Sequence, residues 1–307
     1  MRALDPRLIA TIARGSSDHA AGFLKYAFEL ETGLPVASLG PSLASVYDAK
    51  MRLEKTATIA ISQSGKSPDI CAMAAAAKSG GSLTISLVNV ITSPLAIASD
   101  IALDIQAGPE LSVAATKTYV NSVAAGLLVL AAWKGDESLS AALDRLPAAL
   151  EKAVAQDWSP LCAALEGQNS LYILGRGPSL AIAAEAALKF KETSGLHAEA
   201  YSSAEVMHGP VSIVGKGFPV LALIARDKAE NNVAAVADQL VEQGAAVFAT
   251  SSQVRHANRL PYVATGHYLS DALVQIASFY GLIEMLSRQR GLDPDKPRFL
   301  RKVTETI

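Results

Sequence analysis

Thr58-Ile-Ala-Ile-Ser-Gln-Ser-Gly-Lys-Ser-Pro-Asp69 is the stretch that sets the fold. Thr58–Ile61 is short and apolar and reads as a buried strand. Pro68 opens a helical pattern that runs to about Gly80, because proline is at home in a first helical turn and glycine at a helix end. Ser62, Gln63, Ser64 and Ser67, with Gly65 among them, therefore fall where a strand passes into a helix. Unbonded backbone N–H groups and the positive end of a helix dipole converge at such a place. Small hydroxyls add donors without bulk. The combination suits a phosphate held with little cationic side-chain help; the bland alternative is a Ser-rich turn with a capped helix. The G-x-x-x-x-G-K-[ST] spacing of a P-loop is absent.

Outward from this stretch, apolar runs alternate with helical patterns. Ile9–Ala13, Pro35–Leu39, Thr58–Ile61, Leu83–Val88 and Ile101–Ile105 read as strands. Asp18–Leu30, Pro68–Ser79, Ser93–Ala98 and Ala115–Lys134 read as helices. The alternation predicts parallel β-α-β units and a doubly wound α/β sheet. The second half repeats the plan. Ser170–Gly175 is a strand, and Arg176-Gly177-Pro178-Ser179 turns into a helix as Arg14-Gly15-Ser16-Ser17 does. The offset, 177 − 15 = 162 residues, is that of a duplication. Phe218–Ala225 occupies the place of Thr58–Ile61, but Arg226-Asp227-Lys228 follows it in place of the hydroxyl run. The expected organisation is a first domain over 1–134, a helical linker over 135–168, a second domain over 169–290 and a tail over 291–307. The last helix is expected at about Ser270–Ser287.

Composition excludes several classes. The 307 residues allow two domains, and 50% hydrophobic with 18% charged content is that of a compact folded chain. A net charge of −2 without a basic run argues against a nucleic-acid surface. Cys71 and Cys162 give no disulfide framework and suggest a reducing, cytoplasmic setting. The five histidines form no metal-binding spacing, so no metal is expected. No signal peptide is read at the start, and the apolar run Tyr119–Trp133 is too short for a membrane span.

A second dense stretch runs from Ala186 to Tyr201 and on through Glu205-Val-Met-His208-Gly-Pro210. Lys189 and Glu192, three apart, share a helix face. Such a pair can shuttle a proton beside a carbonyl or imine. The bland alternative is a surface pair between Glu185 and Lys189, with Glu192 a solvated charge. His208 reads as a loop residue.

Seven segments, in order, resemble the tandem sugar-isomerase (SIS) family: Arg14–Ser17, Ser62–Ser67, Ala107–Lys117, Leu188–Glu192, His197–Tyr201, His208–Pro210 and Pro297–Lys302. Within it they are similar to the isomerase half of glucosamine-6-phosphate synthases and to SIS-type glucosamine-6-phosphate deaminases. The resemblance implies two flavodoxin-like domains and a phosphosugar aldose–ketose isomerase or deaminase. It implies that Ser17, Ser62, Gln63, Ser64 and Ser67 hold the sugar phosphate with backbone from Val113. Glu192 would move the proton between C1 and C2, and Lys189 would organise the charges. His208 would assist ring opening from a second subunit of a homodimer. Lys302, in the tail, would form an imine or assist ring opening, with Phe299, Leu300, Val303 and Ile307 as apolar anchors. No cofactor is implied.

Departures from the family pattern shape the expected reaction. No N-terminal cysteine nucleophile of an amidotransferase domain is found, and no helical lead-in precedes the first strand. Ala115 stands where the synthases carry serine. The favoured reaction is glucosamine 6-phosphate plus water to fructose 6-phosphate plus ammonia. The alternatives are another phosphosugar isomerase or ketosamine-phosphate deaminase, an isomerase core of the glutamine–fructose-6-phosphate transaminase type, and a non-catalytic sugar-phosphate sensor.

Overall fold

The structure is a computed structural model that describes residues 1–300 and Lys302. It divides into two units, Met1–Ser140 joined by Lys302, and Ala141–Leu300.

The first unit is an α/β sandwich element. Its strands are β1 (Leu8–Ile12), β2 (Val36–Ser38), β3 (Thr56–Ser62), β4 (Leu83–Val88) and β5 (Ile101–Asp104). Its helices are α1 (Ser16–Thr32), α2 (Ser42–Ser45), α3 (Pro68–Ser79), α4 (Pro94–Ala98) and α5 (Lys117–Lys134). The strands form one parallel sheet in the order β2-β1-β3-β4-β5, the flavodoxin-like order. All seven residues of β3 are buried, as a central strand covered on both faces requires. The apolar face of α3, with Ile70, Met73, Ala74 and Ala77, packs with Ile12, Ala60, Val88 and Leu95. Burial of a side chain such as Ile70 or Met73 contributes roughly 1.5–3 kcal/mol. This packing fixes the helix against the sheet, and its first turn therefore comes to a defined place beside the end of β3.

The second unit repeats the sheet. After α6 (Glu137–Asp144), which straddles the boundary, come α7 (Leu146–Val154), α8 (Ser159–Ala164), β6 (Ser170–Gly175), α9 (Pro178–Ser194) and β7 (His197–Ser202). Next come β8 (Pro219–Ala222), α10 (Glu230–Glu242), β9 (Ala246–Ala249), β10 (Asn258–Arg259) and α11 (Tyr268–Gln289). The order β10-β9-β8-β6-β7, all parallel, is that of the first sheet read from its other edge. α11 is long and apolar enough to cross a membrane by length and composition, and 78% of that stretch is buried in the protein.

The duplication extends to backbone detail. Gly15 and Gly177, which precede α1 and α9, adopt φ 55°, ψ −135° and φ 58°, ψ −134°. Both helices have 17 residues and end on left-handed Gly33 and Gly195, 195 − 33 = 162 apart. Ala10 pairs with Thr58, and Tyr172 with Val220, so the strand register keeps the same offset.

The structure corrects some expected limits. α5 begins at Lys117 rather than Ala115, because Glu110 gathers the preceding residues into a capped loop. The strand expected over Phe218–Ala225 is confined to Pro219–Ala222. At Ile224 side chains replace strand partners: its N–H donates to Thr250 Oγ1, and its carbonyl accepts from Arg226 and Gln275.

Candidate functional site

The two strands at which the first sheet changes direction, β1 and β3, end side by side, and crevices at such switch points bind ligands in open α/β sheets. The β3–α3 loop there is a turn built on itself. Ser62 Oγ accepts the Gly65 N–H at 3.1 Å, and Ser64 Oγ accepts the Lys66 N–H at 3.3 Å. Gly65 has φ 62°, and a Cβ on it would lie 2.1 Å from Ser93 Oγ, so no side chain fits. Its carbonyl is taken by the Leu95 N–H at the start of α4, which buttresses the loop from behind. Ser67 is the N-cap of α3 in extended conformation, but its hydroxyl makes no capping bond. That leaves the hydroxyl available to an anion at the positive end of the helix dipole, while the Ile70 N–H goes to Asp69 Oδ1 and the Cys71 N–H to the Ser67 carbonyl. Ser62 is buried, and Gln63, Ser64 and Ser67 are half-buried. Ser17 lies half-buried in the first turn of α1, after β1.

A second loop of this unit, between β5 and α5, is fixed at both ends. Asn89 donates to the Gly108 carbonyl at 2.7 Å and accepts the Ala107 N–H at 2.9 Å. Glu110, buried, accepts from the N–H groups of Thr116 and Thr118 and from the Thr118 hydroxyl at 2.7 Å. A carboxylate at a helix N-terminus both caps it and complements its dipole. Val113 is half-buried within this loop. Lys302 Nζ donates to the Ser112 carbonyl, next to Val113, at 2.5 Å. The apolar anchors expected for the tail fail at two positions, since Phe299 is fully exposed and Leu300 is 43% exposed. Val303 and Ile307 lie outside the described residues.

In the second unit Lys189 is 1% exposed on α9. Its ammonium contacts Glu192 and lies 3.5 Å from Glu185, which is fully buried. The Tyr280 hydroxyl donates to Glu185 at 3.5 Å. The surface pair that the spacing suggested is thus a buried cation between two carboxylates. A buried lysine charge is tolerated only with such partners. Glu192 keeps 21% of its side chain exposed, so one carboxylate of the trio reaches outward. His208 is exposed and ends a short 3₁₀ turn, Glu205–His208, in place of the expected loop. Tyr172 steadies the adjoining turn, Pro210–Ile213, by donating to the Pro210 carbonyl at 3.2 Å. Nearby, the Tyr201 hydroxyl donates to Glu199 at 2.9 Å, and that hydrogen bond pushes its pKa up to about 12.

The second unit's own switch point differs. Arg226, which stands at the offset position of Ser64 (226 − 162 = 64), fills it. Its Nε donates to Asp271 at 3.0 Å, Nη1 to the Thr250 carbonyl and Nη2 to the Ile224 carbonyl, and it stacks 4.0 Å from the Tyr262 ring centre.

Ser17, Ser62, Gln63, Ser64, Ser67, Val113 and Lys302 therefore belong to the first unit, and Lys189, Glu192 and His208 to the second. Sequence reasoning gave no role to Asn89, Ser93 or Glu110. Asn89 bonds backbone 18 and 19 residues away, Ser93 caps α4 and packs against Gly65, and only Glu110 had a signal, its place ahead of the threonines that start α5.

The comparisons agree with this architecture. Residues 4–132 and 164–254 match the SIS domain, and the chain belongs to that family. It is 34% identical over 320 residues to the glutamine–fructose-6-phosphate aminotransferase (isomerizing) of Symbiobacterium thermophilum, across 96% of this chain and 51% of the relative. The chain thus spans about half the length of the curated relatives it matches. A crystal structure from Silicibacter pomeroyi, provisionally named a phosphosugar isomerase, is 56% identical with a TM-score of 0.93, covering 96% of this chain and 90% of that one. The C-terminal domain of a Francisella tularensis glucosamine–fructose-6-phosphate aminotransferase is 26% identical with a TM-score of 0.86, covering 95% and 88%.

Proposed function

We propose that the protein is a phosphosugar aldose–ketose isomerase whose net reaction is glucosamine 6-phosphate plus water to fructose 6-phosphate plus ammonia. The two SIS domains stand in tandem and contribute different parts. The hydroxyls of Ser17, Ser62, Ser64 and Ser67, with Gln63 and the backbone at Val113, hold the phosphate. Glu192 takes the proton from C2 of the open-chain aminoaldose and returns it to C1. The intermediate is an enolamine, and the product is a 2-imine that water hydrolyses to the ketose and ammonia. No oxidant is consumed, since C1 is reduced as C2 is oxidised. The observation that carries this reading is the contact of the outward-reaching Glu192 with buried Lys189. A fixed cation keeps the carboxylate oriented toward one proton path, the arrangement general-base catalysis needs. The partner subunit's His208 opens the sugar ring in a homodimer, and Lys302 assists at the ring carbon.

The test is ammonia and fructose 6-phosphate release from glucosamine 6-phosphate by the purified chain. Equal amounts of both products support the reading. Binding without turnover of any hexose or hexosamine 6-phosphate turns it into a sensor. The 34% identity to isomerizing aminotransferases favours one second reading, an isomerase core that works toward the aminosugar. Fructose 6-phosphate with ammonium salt, run in the opposite direction, measures that capacity.

A further inference from the structure

The hydroxyl cradle was expected to hold its anion with little cationic help, yet a guanidinium is fixed at its edge. Arg14 follows β1 and precedes Ser17 by three residues. Its Nε and Nη2 donate to Asp69 Oδ2 at 2.9 and 2.8 Å, across 55 residues of chain. Asp69 is fully buried in the first turn of α3, two residues after Ser67, and its Oδ1 accepts the Ile70 N–H at 2.8 Å. Arg14 is 51% exposed, so the guanidinium spans from a buried carboxylate to the surface, with Nη1 beyond the fork.

A cation at this point offsets the acids beside the cradle. Asp69 and Asp18 both stand in the first turns of the helices beside the cradle, and Arg14 is hydrogen-bonded to Asp69, while His19 and Arg14 both lie near Asp18. Without Arg14 the buried Asp69 carboxylate would stand uncompensated beside a phosphate dianion. The second unit supplies an internal control. Arg176 stands at the offset position of Arg14, and Asn231 at that of Asp69 (231 − 162 = 69). The helices that carry these positions start in register, at Pro68 and Glu230. The paired acid is thus absent from the unit whose hydroxyl run has also gone.

We infer that Arg14, latched by Asp69, is a phosphate-binding residue that neutralises the cradle's rim and donates from Nη1 to the substrate's phosphate. The inference rests on the reading of Ser62–Ser67 as the phosphate cradle. A fork is needed because one side chain must serve two acceptors at once, which a lysine cannot do with the same geometry.

Calorimetric titration with inorganic phosphate tests it, with thermal unfolding recorded on each variant. Arg14→Gln/Asp69→Asn removes both charges and leaves no buried carboxylate without a partner. Its melting temperature is expected to stay near that of the wild type, while phosphate binds about 10-fold more weakly or worse. Arg14→Lys keeps a cation against Asp69 and is the variant to read if the double variant fails to fold. It too is expected to bind phosphate more weakly, by several-fold. Wild-type affinity in either folded variant overturns the inference while the cradle stands. Absence of phosphate binding by the wild type overturns the cradle reading and the inference with it.

Discussion

The crevices at the two switch points share a strand order, a helix length and an unusual glycine turn, but they are finished in opposite ways. In the first, the small residues Ser64 and Gly65 form the turn, and the hydroxyls of Ser62 and Ser64 accept the N–H groups of Gly65 and Lys66. In the second, Arg226 occupies the matching position and satisfies two carbonyls and Asp271 from within. Every nitrogen of this guanidinium is bonded inside the protein, to one carboxylate and two carbonyls. Duplication therefore preserved the frame, while the hydroxyl run stands in the first copy and Arg226-Asp227-Lys228 in the second. The other copy carries the Lys189–Glu192 pair on the helix after its first strand. At the offset positions of α1 stand Ala27 and Leu30, which form no such pair (189 − 162 = 27, 192 − 162 = 30).

The sharpest way to break this division is Glu192→Gln. It keeps the shape and removes the base, so turnover should fall by about 10²–10⁴-fold with phosphate affinity unchanged. Solvent deuterium should cease to enter C1. Loss of phosphate affinity instead would mean that the two units do not divide binding from proton transfer.

Removal of the plug acts on stability. Arg226→Ala leaves Asp271, only 3% exposed, without its cation and should cost about 3 kcal/mol in urea unfolding. Phosphate affinity should be untouched. A gain of a second phosphate equivalent in that variant would show that the plug alone separates the two crevices.

Gly65→Ala addresses the open crevice. With φ 62° and Ser93 Oγ 2.1 Å from the new carbon, the loop must shift. A displacement of about 1 Å in a binding loop can cost about 10²-fold, and kcat/KM for the sugar phosphate should fall by that order. Asp227→Ala, at the offset position, should leave it near wild type.

The smallest effect is confined to the second unit. Tyr201 has its pKa raised from 10.0 to about 12 by the hydrogen bond to Glu199, whereas Leu39 stands at the offset position in the first unit. The folded state holds this proton more tightly than the unfolded chain. The stabilisation is therefore complete below pH 10 and is lost as pH rises from about 10 through 12. The difference in unfolding free energy between the wild type and Tyr201→Phe should shrink across that range. A difference constant with pH would remove the hydrogen bond as its cause.

Sequence by itself determined the alternation of strands and helices, the offset of 162 and the place of the hydroxyl run. Each depends on patterns within a few residues: apolar runs, Pro68 at a helix start, glycines at helix ends. Family resemblance supplied the roles proposed for Glu192, His208 and Lys302. Tertiary structure alone decided what the charged residues do. Glu185 and Lys189 have the same i,i+4 spacing on a surface as in a core, and only the packing of α9 with Tyr280 shows them buried. Arg14 meets Asp69 across 55 residues, and Arg226 meets Asp271 across 45. Local periodicity records which face of an element is apolar. It carries no record of which distant partner makes a buried charge tolerable, because that depends on how the sheet brings its strand ends together.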